Sequence, residues 1–290
     1  MGYTMPHHLY TLKHDELLAT VAAIARFHAQ SYIFEERQTK RLKRPYRIWE
    51  NYSEYLSEPL KNMAWRNTGM RAVIDVLKVF SQYKSNSNVM GNIENKIPIL
   101  FDTAFELMKP SAKYRNTVIH RDIWANNIFL KKLNDGHTHA LIVDFQTVMY
   151  CSPLLDLSTL IYINTAKEYR VAYIDRIIDY YYNILKEELQ LENINVCSVM
   201  DKESIIASYE ESLVFGMTQA ALILPIVLTD KKIKEMFADP ETCERLFYVT
   251  RSEEFIDLAR KNENYRRRVL GLFDEIVEKF VYPLAVDGIE

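Results

Sequence analysis

"VIHRDIWANNIFLKK", residues 118–132, sets His120, Asp122 and Asn127 on an otherwise apolar background. Its last six residues, "NIFLKK", are β-prone, and so is "HALIVDF" at residues 139–145. Between them "LNDG" carries an Asn-Asp-Gly turn signal at Asn134, Asp135 and Gly136. The pattern predicts a short hairpin whose ends bring polar residues side by side. Asp122 and Asn127 stand before it and Asp144 after it.

The surroundings read as helix. Leu17, Val21, Ile24 and Phe27 recur at helical spacing behind Asp15 and Glu16, which predicts a helix over 15–31. Similar patterning predicts helices over 48–55, 70–83, 99–108, 169–189, 202–228 and 264–282. The expected fold class is therefore α+β, predominantly α, with one hairpin interrupting a helical domain. With 7 Gly and 9 Pro, and no visible repeat or low-complexity stretch, residues 1–290 are read as a single domain.

Composition narrows the functional classes. The chain is 48% hydrophobic and 26% charged, as soluble globular chains are. A net charge of -3 argues against nucleic acid as a partner. The basic run Lys40–Arg44 resembles a localisation signal but reads as a solvated helix end. Cys151, Cys197 and Cys243 are odd in number and widely spaced, which suits reduced thiols in a reducing compartment. The first fifteen residues hold no apolar core of a signal peptide, and Pro6 spoils a myristoylation site. The longest apolar run, "AALILPIVL", is nine residues with a Pro inside, against the roughly 20 needed for a span. A cytoplasmic protein with no membrane partner is expected.

The residue types at the hairpin's base suit phosphoryl transfer. That reaction needs a carboxylate to orient the attacking hydroxyl and accept its proton, and oxygen ligands to hold Mg²⁺ against phosphates. The spacing His120-x-Asp122-x-x-x-x-Asn127, followed by Asp144-Phe145-Gln146, matches the kinase template. On it Asp122 is the base, and Asn127 and Asp144 are the metal ligands. The bland alternative is a buried loop in which Asp122 and Asn127 only satisfy backbone groups.

The neighbours take supporting roles. His120 is expected to hold the loop by hydrogen bonding, and Arg121 to pair with a nearby carboxylate rather than a phosphate. Trp124 packs under the loop or walls the acceptor pocket, with core packing preferred. Asp156, just after Pro153, either caps a helix or anchors the catalytic loop. His28 reads as a core histidine, and His137 and His139 at the hairpin turn do not make a metal site.

Other chemistries are absent from the sequence. There is no H-E-x-x-H, and the closest glycines, Gly271 and Gly288, are 17 apart (288 − 271). That excludes a nucleophile elbow, a Walker A loop, a dinucleotide fingerprint and the Gly-rich loop of kinases. No strand lysine of the V-A-I-K type precedes the catalytic loop either. Pro153 follows Asp144 by nine residues (153 − 144) with no A-P-E, too short for a protein-substrate platform.

"VIHRDIWANNIFL", "LIVDFQTVMYCSPLLDLSTLIY", "VAAIARFHAQS" and "FGMTQAALILPIVLTD" together resemble the insect ecdysteroid kinase-like family, which is related to choline kinases and aminoglycoside phosphotransferases. The resemblance runs over essentially the whole chain. It implies a protein-kinase-like fold, ATP as phosphoryl donor, Mg²⁺, and a small-molecule alcohol as acceptor, either an ecdysteroid or another lipophilic compound. Carried over by position, the family's catalytic Asp is Asp122 and its metal ligands are Asn127 and Asp144. The family usually has H-G-D, and here Arg121 replaces the Gly. The chain also reads as a C-terminal lobe whose ATP-binding N-terminal lobe is missing. Two readings follow: a small-molecule kinase, or a non-catalytic remnant that binds a ligand or partner.

Overall fold

The computed structural model describes residues 2–7, 9–58, 63–229, 235 and 238–282. Their contacts form two compact units, Met1–Glu58 with Phe105–Gly216, and Pro59–Ala104 with Met217–Glu290. The chain is mostly helical with two small antiparallel sheets, as the expected class requires.

The first unit is organised around α1, His14–Leu42. Glu16 accepts the backbone N–H of Lys13 and so closes its N-terminus, and Lys43, in the left-handed region at φ 55°, ends it. Lys40–Arg44 thus forms a basic, largely solvated helix end. The helix runs eleven residues past the expected Ser31 (42 − 31), because buried Tyr32, Ile33 and Glu35 continue its inner face. It packs on α6 (Lys167–Leu191) and on the hairpin.

By contrast, the helix expected over 48–55 is only the single turn α2, Trp49–Tyr52. Its flanking backbone groups are committed elsewhere. Ile48 N–H donates to the Glu35 carboxylate at 3.0 Å, and the Leu56 carbonyl accepts from Tyr150 N–H at 3.0 Å.

Strand β1 (Thr117–Ile119) pairs antiparallel with β4 (Met149–Cys151). The predicted hairpin is present as β2 (Ile128–Lys132) and β3 (Thr138–Ile142), with Ile128 opposite Ile142. Gly136 takes φ 87° at the turn, a conformation other residues reach only with strain. Thr4 adds an isolated bridge to Leu130 on the outer edge of β2.

Helix α5, Leu154–Asn164, is buried along its whole length, which accounts for its apolar residues on every face. It meets α7 (Lys202–Val227) where Gly216 faces Ser158. By length and composition α7 could cross a membrane, but 67% of its most apolar window is buried inside the protein, as in a core helix.

In the second unit, α3 (Met63–Phe80) packs with three helices from the chain's end, α8 (Pro240–Tyr248), α9 (Ser252–Lys261) and α10 (Glu263–Ile276). Helix α4, Ser87–Glu106, begins twelve residues before the expected Ile99 (99 − 87), since Val89, Ile93 and Ile97 extend the buried face of Phe101 and Ala104. Gly91 and Pro98 within it mask that periodicity.

The α5–α7 contact tolerates no extra methyl. A Cβ on Gly216 would lie 2.6 Å from the Ser158 side chain and 2.7 Å from its backbone. Gly216→Ala is expected to cost about 1–3 kcal/mol of stability by overpacking, read as a lower denaturation midpoint with an unchanged m-value.

Candidate functional site

The catalytic-loop candidate is the connection from β1 to β2, residues 120–127. Its backbone is held by a fully buried carboxylate. Asp156 Oδ2 accepts His120 N–H at 2.7 Å, and Oδ1 accepts Arg121 N–H at 2.6 Å. Asp156 caps no helix: the N-cap of α5 is Pro153, which makes no side-chain cap. Of its two expected roles, the structure shows the loop anchor.

The remaining bond to Asp156 comes from an unexpected place. His28 Nε2 donates to Oδ2 at 3.0 Å, and His28 Nδ1 pairs with the Tyr181 hydroxyl at 2.8 Å. All three side chains are buried, so the row Tyr181–His28–Asp156 runs from α6 through α1 to α5. His28 is the core histidine the sequence implies. Its link to the loop was hidden by 128 residues of separation (156 − 28).

His120 completes the frame. Its Nε2 donates to the Val143 carbonyl at 2.9 Å, and its Nδ1 accepts Asp122 N–H at 3.3 Å. The ring therefore joins the loop to the end of β3. Thr147 Oγ1 donates to the His120 carbonyl at 2.8 Å from the other side. Phe145 stacks edge-on against His120, with centroids 4.8 Å apart.

Asn127 ties the polar residues together. Its Nδ2 donates to the Asp122 carbonyl at 2.8 Å and to the Asp122 carboxylate at 3.0 Å. Its own carbonyl accepts Val143 N–H at 3.0 Å, next to Asp144. Asn127 is thus bonded to Asp122 and, through its backbone, to the residue before Asp144 at the base of the hairpin. Asp144 is exposed, sits at φ 67°, and touches Gln146 Nε2 at 3.3 Å.

Trp124 departs from its preferred reading. It is half-buried, in neither a closed core nor an open surface, and its proximity helps hold the Asp122 pKa down against burial. Arg121 pairs with the carboxylate of Glu58, as expected, and its Nη1 lies 3.3 Å from Met149 Sδ. It occupies φ 71°, where glycine is favoured, so its backbone retains the shape a glycine would give. At the hairpin turn His137 pairs with Asp135, and His139 with Tyr3.

Electrostatically, burial pushes the Asp122 carboxyl above its usual range, opposed by His120, by Trp124 and by the bond from Asn127. Among the described residues no group of three or more His, Cys, Asp or Glu could cage a metal. The oxygen donors at the hairpin base are Asp122, Asp144 and Asn127 Oδ1, which takes no hydrogen bond among the described residues. Such a sparse, all-oxygen set fits Mg²⁺, which keeps waters and shares its ligands with substrate phosphates. A cleft of about 110 Å³ between Glu106–Tyr114, Ser152, Leu155 and α7 lies apart from this group and contains none of the three.

The family model for the ecdysteroid kinase-like family matches residues 1–194. The chain belongs to the ecdysteroid kinase-like family. Membership implies kinase-like phosphotransferase activity. Every candidate site residue lies inside the matched stretch, which is shorter than the whole-chain extent of the resemblance seen in sequence. No match is found among curated proteins or solved structures. Within the ecdysteroid kinase-like family's H-G-D pattern, Arg121 is explained by its left-handed backbone and its pairing with Glu58.

Two outcomes follow from this geometry. Asp156→Ala leaves two backbone N–H groups and a histidine without their buried acceptor. It should cost about 3–5 kcal/mol in denaturant unfolding. Asp122→Asn should act in the opposite direction. A carboxyl whose folded pKa is raised binds protons more tightly when folded, so its contribution falls as pH rises from its unfolded value of 3.8 through the higher folded one. The variant should therefore be more stable than wild type at neutral pH, and the gain should vanish near pH 3 in a pH series of melting curves.

Proposed function

We propose that residues 117–147 form the catalytic and metal-binding part of an ATP-dependent phosphotransferase that acts on a hydroxyl of a small lipophilic molecule, such as an ecdysteroid. The observation that carries this reading is Asn127, which bonds the Asp122 carboxylate with its side chain and the residue before Asp144 with its backbone. A loop that merely satisfied its own backbone would have no need of the Asp144 end.

In this reading Asp122 accepts the proton of the attacking alcohol. Its desolvation strengthens it as a base, and the bond from Asn127 fixes its orientation. Asn127 Oδ1 and Asp144 would hold Mg²⁺, which when bound neutralises charge on the donor's phosphates. Asp156 and His120 position the loop without touching substrate. Residues 1–290 are read as one kinase-like C-terminal lobe.

The sequence favours one limit on turnover. No Gly-rich loop or strand lysine lies within residues 1–290 to cradle the phosphates. One such electrostatic donor is worth about 10²–10³ in rate, so this polypeptide alone should show negligible Mg-ATP-dependent phosphorylation of steroid alcohols. The non-catalytic, ligand-binding reading shares that expectation, and metal binding separates the two.

The test is Mn²⁺-ATP binding, followed by paramagnetic relaxation of water. Wild type and Asp122→Asn should bind alike, while Asp144→Asn and Asn127→Ala should each lose at least about tenfold. Equal binding by the Asp144 variant, or none by wild type, would leave a kinase-derived scaffold without its metal chemistry.

A further inference from the structure

Beyond the hairpin base, Arg121 is held by a segment distant in sequence. Segment 45–58 follows α1 and crosses the outer edge of β4. It is fastened along its length. Tyr46 N–H donates to Thr39 Oγ1 at 3.0 Å, and Ile48 N–H donates to buried Glu35. Trp49 stacks on Tyr150 with planes 24° apart, and the Leu56 carbonyl accepts Tyr150 N–H. At its end, Glu58 meets Arg121, the residue before Asp122.

Both members of that pair are well shielded, with side chains 15% and 10% exposed for Arg121 and Glu58. The guanidinium also rests against the sulfur atoms of Met108 and Met149. Successive loop side chains diverge here: Arg121 reaches toward Glu58, and Asp122 toward Asn127. Between the two, the backbone takes a left-handed φ of 71° at Arg121. A glycine holds such a backbone without help, whereas an arginine must be held there by its contacts.

We propose that Arg121 and Glu58 are a positioning pair: the ion pair holds residue 121 in its left-handed conformation, so aiming Asp122 at Asn127, and clips segment 45–58 to the catalytic loop. The role assigned to Asp122 rests on the proposed function, but the positioning itself does not. Glu58 should matter to the loop only while an arginine occupies position 121.

That dependence gives the test, on the full chain without nucleotide. The NMR signals of the Asn127 side-chain amide report the aim of Asp122, and hydrogen exchange at Ile48 and Tyr150 reports the segment. Glu58→Gln should shift the Asn127 signals and speed both exchanges at least about tenfold. Arg121→Gly should speed the exchanges but leave the Asn127 signals in place, and adding Glu58→Gln to it should change nothing more. The charge swap, Glu58→Arg with Arg121→Glu, should restore slow exchange. Should Glu58→Gln fail to fold, Glu58→Asp reads the same signals. Unchanged spectra in the Glu58 variants, or equal Asn127 shifts in Arg121→Gly and Glu58→Gln, would overturn the proposal. Because neither readout uses ATP or metal, a failed Mn²⁺-ATP experiment leaves this result standing, and the reverse also holds.

Discussion

The whole site depends on one buried carboxylate. Asp156 lies buried within α5, and the bonds to it run from two backbone N–H groups and a histidine. Its charge is met by these donors. An isolated carboxylate in such a place would be prohibitively costly, and three donors aimed at its two oxygens offset that cost. The same bonds tie down the backbone N–H groups of residues 120 and 121, immediately before Asp122.

From that anchor the order of construction is clear. Helix α5 presents Asp156, α1 supplies His28, and α6 supplies Tyr181 to orient the imidazole. His120 then spans from the loop to Val143, and Asn127 spans from Asp122 to the same residue. Each bridge joins the β1–β2 connection to the far end of the hairpin. The two candidate carboxylates, 22 residues apart (144 − 122), stand at the two ends of the chain that the hairpin's backbone pairing joins.

What the sequence revealed was local in character. The hairpin was legible because its turn residues and strand formers are contiguous, and Asp122, Asn127 and Asp144 followed from their spacing around it. The long helices were legible from periodicity, with errors where tertiary contacts overrode propensity. Segment 48–55 keeps one helical turn and then continues through turns, with Tyr55 N–H bonded to Tyr52 and Leu56 N–H to Ser53. The supports were illegible for the opposite reason. His28, Tyr181 and Glu58 lie far from the loop in sequence, and nothing in their immediate neighbours marks them.

The hairpin has a base and a tip of opposite character. Its base carries the polar residues, while a Cβ placed on Gly136 at the tip would meet no atom within 4 Å. The two strands connecting them form a paired ladder from Ile128–Ile142 to Lys132–Thr138. A spectroscopic label attached at the exposed Asn134 would therefore ride on a stiff arm rooted in the candidate metal site, close enough to sense an ion there and remote enough to leave its ligands undisturbed.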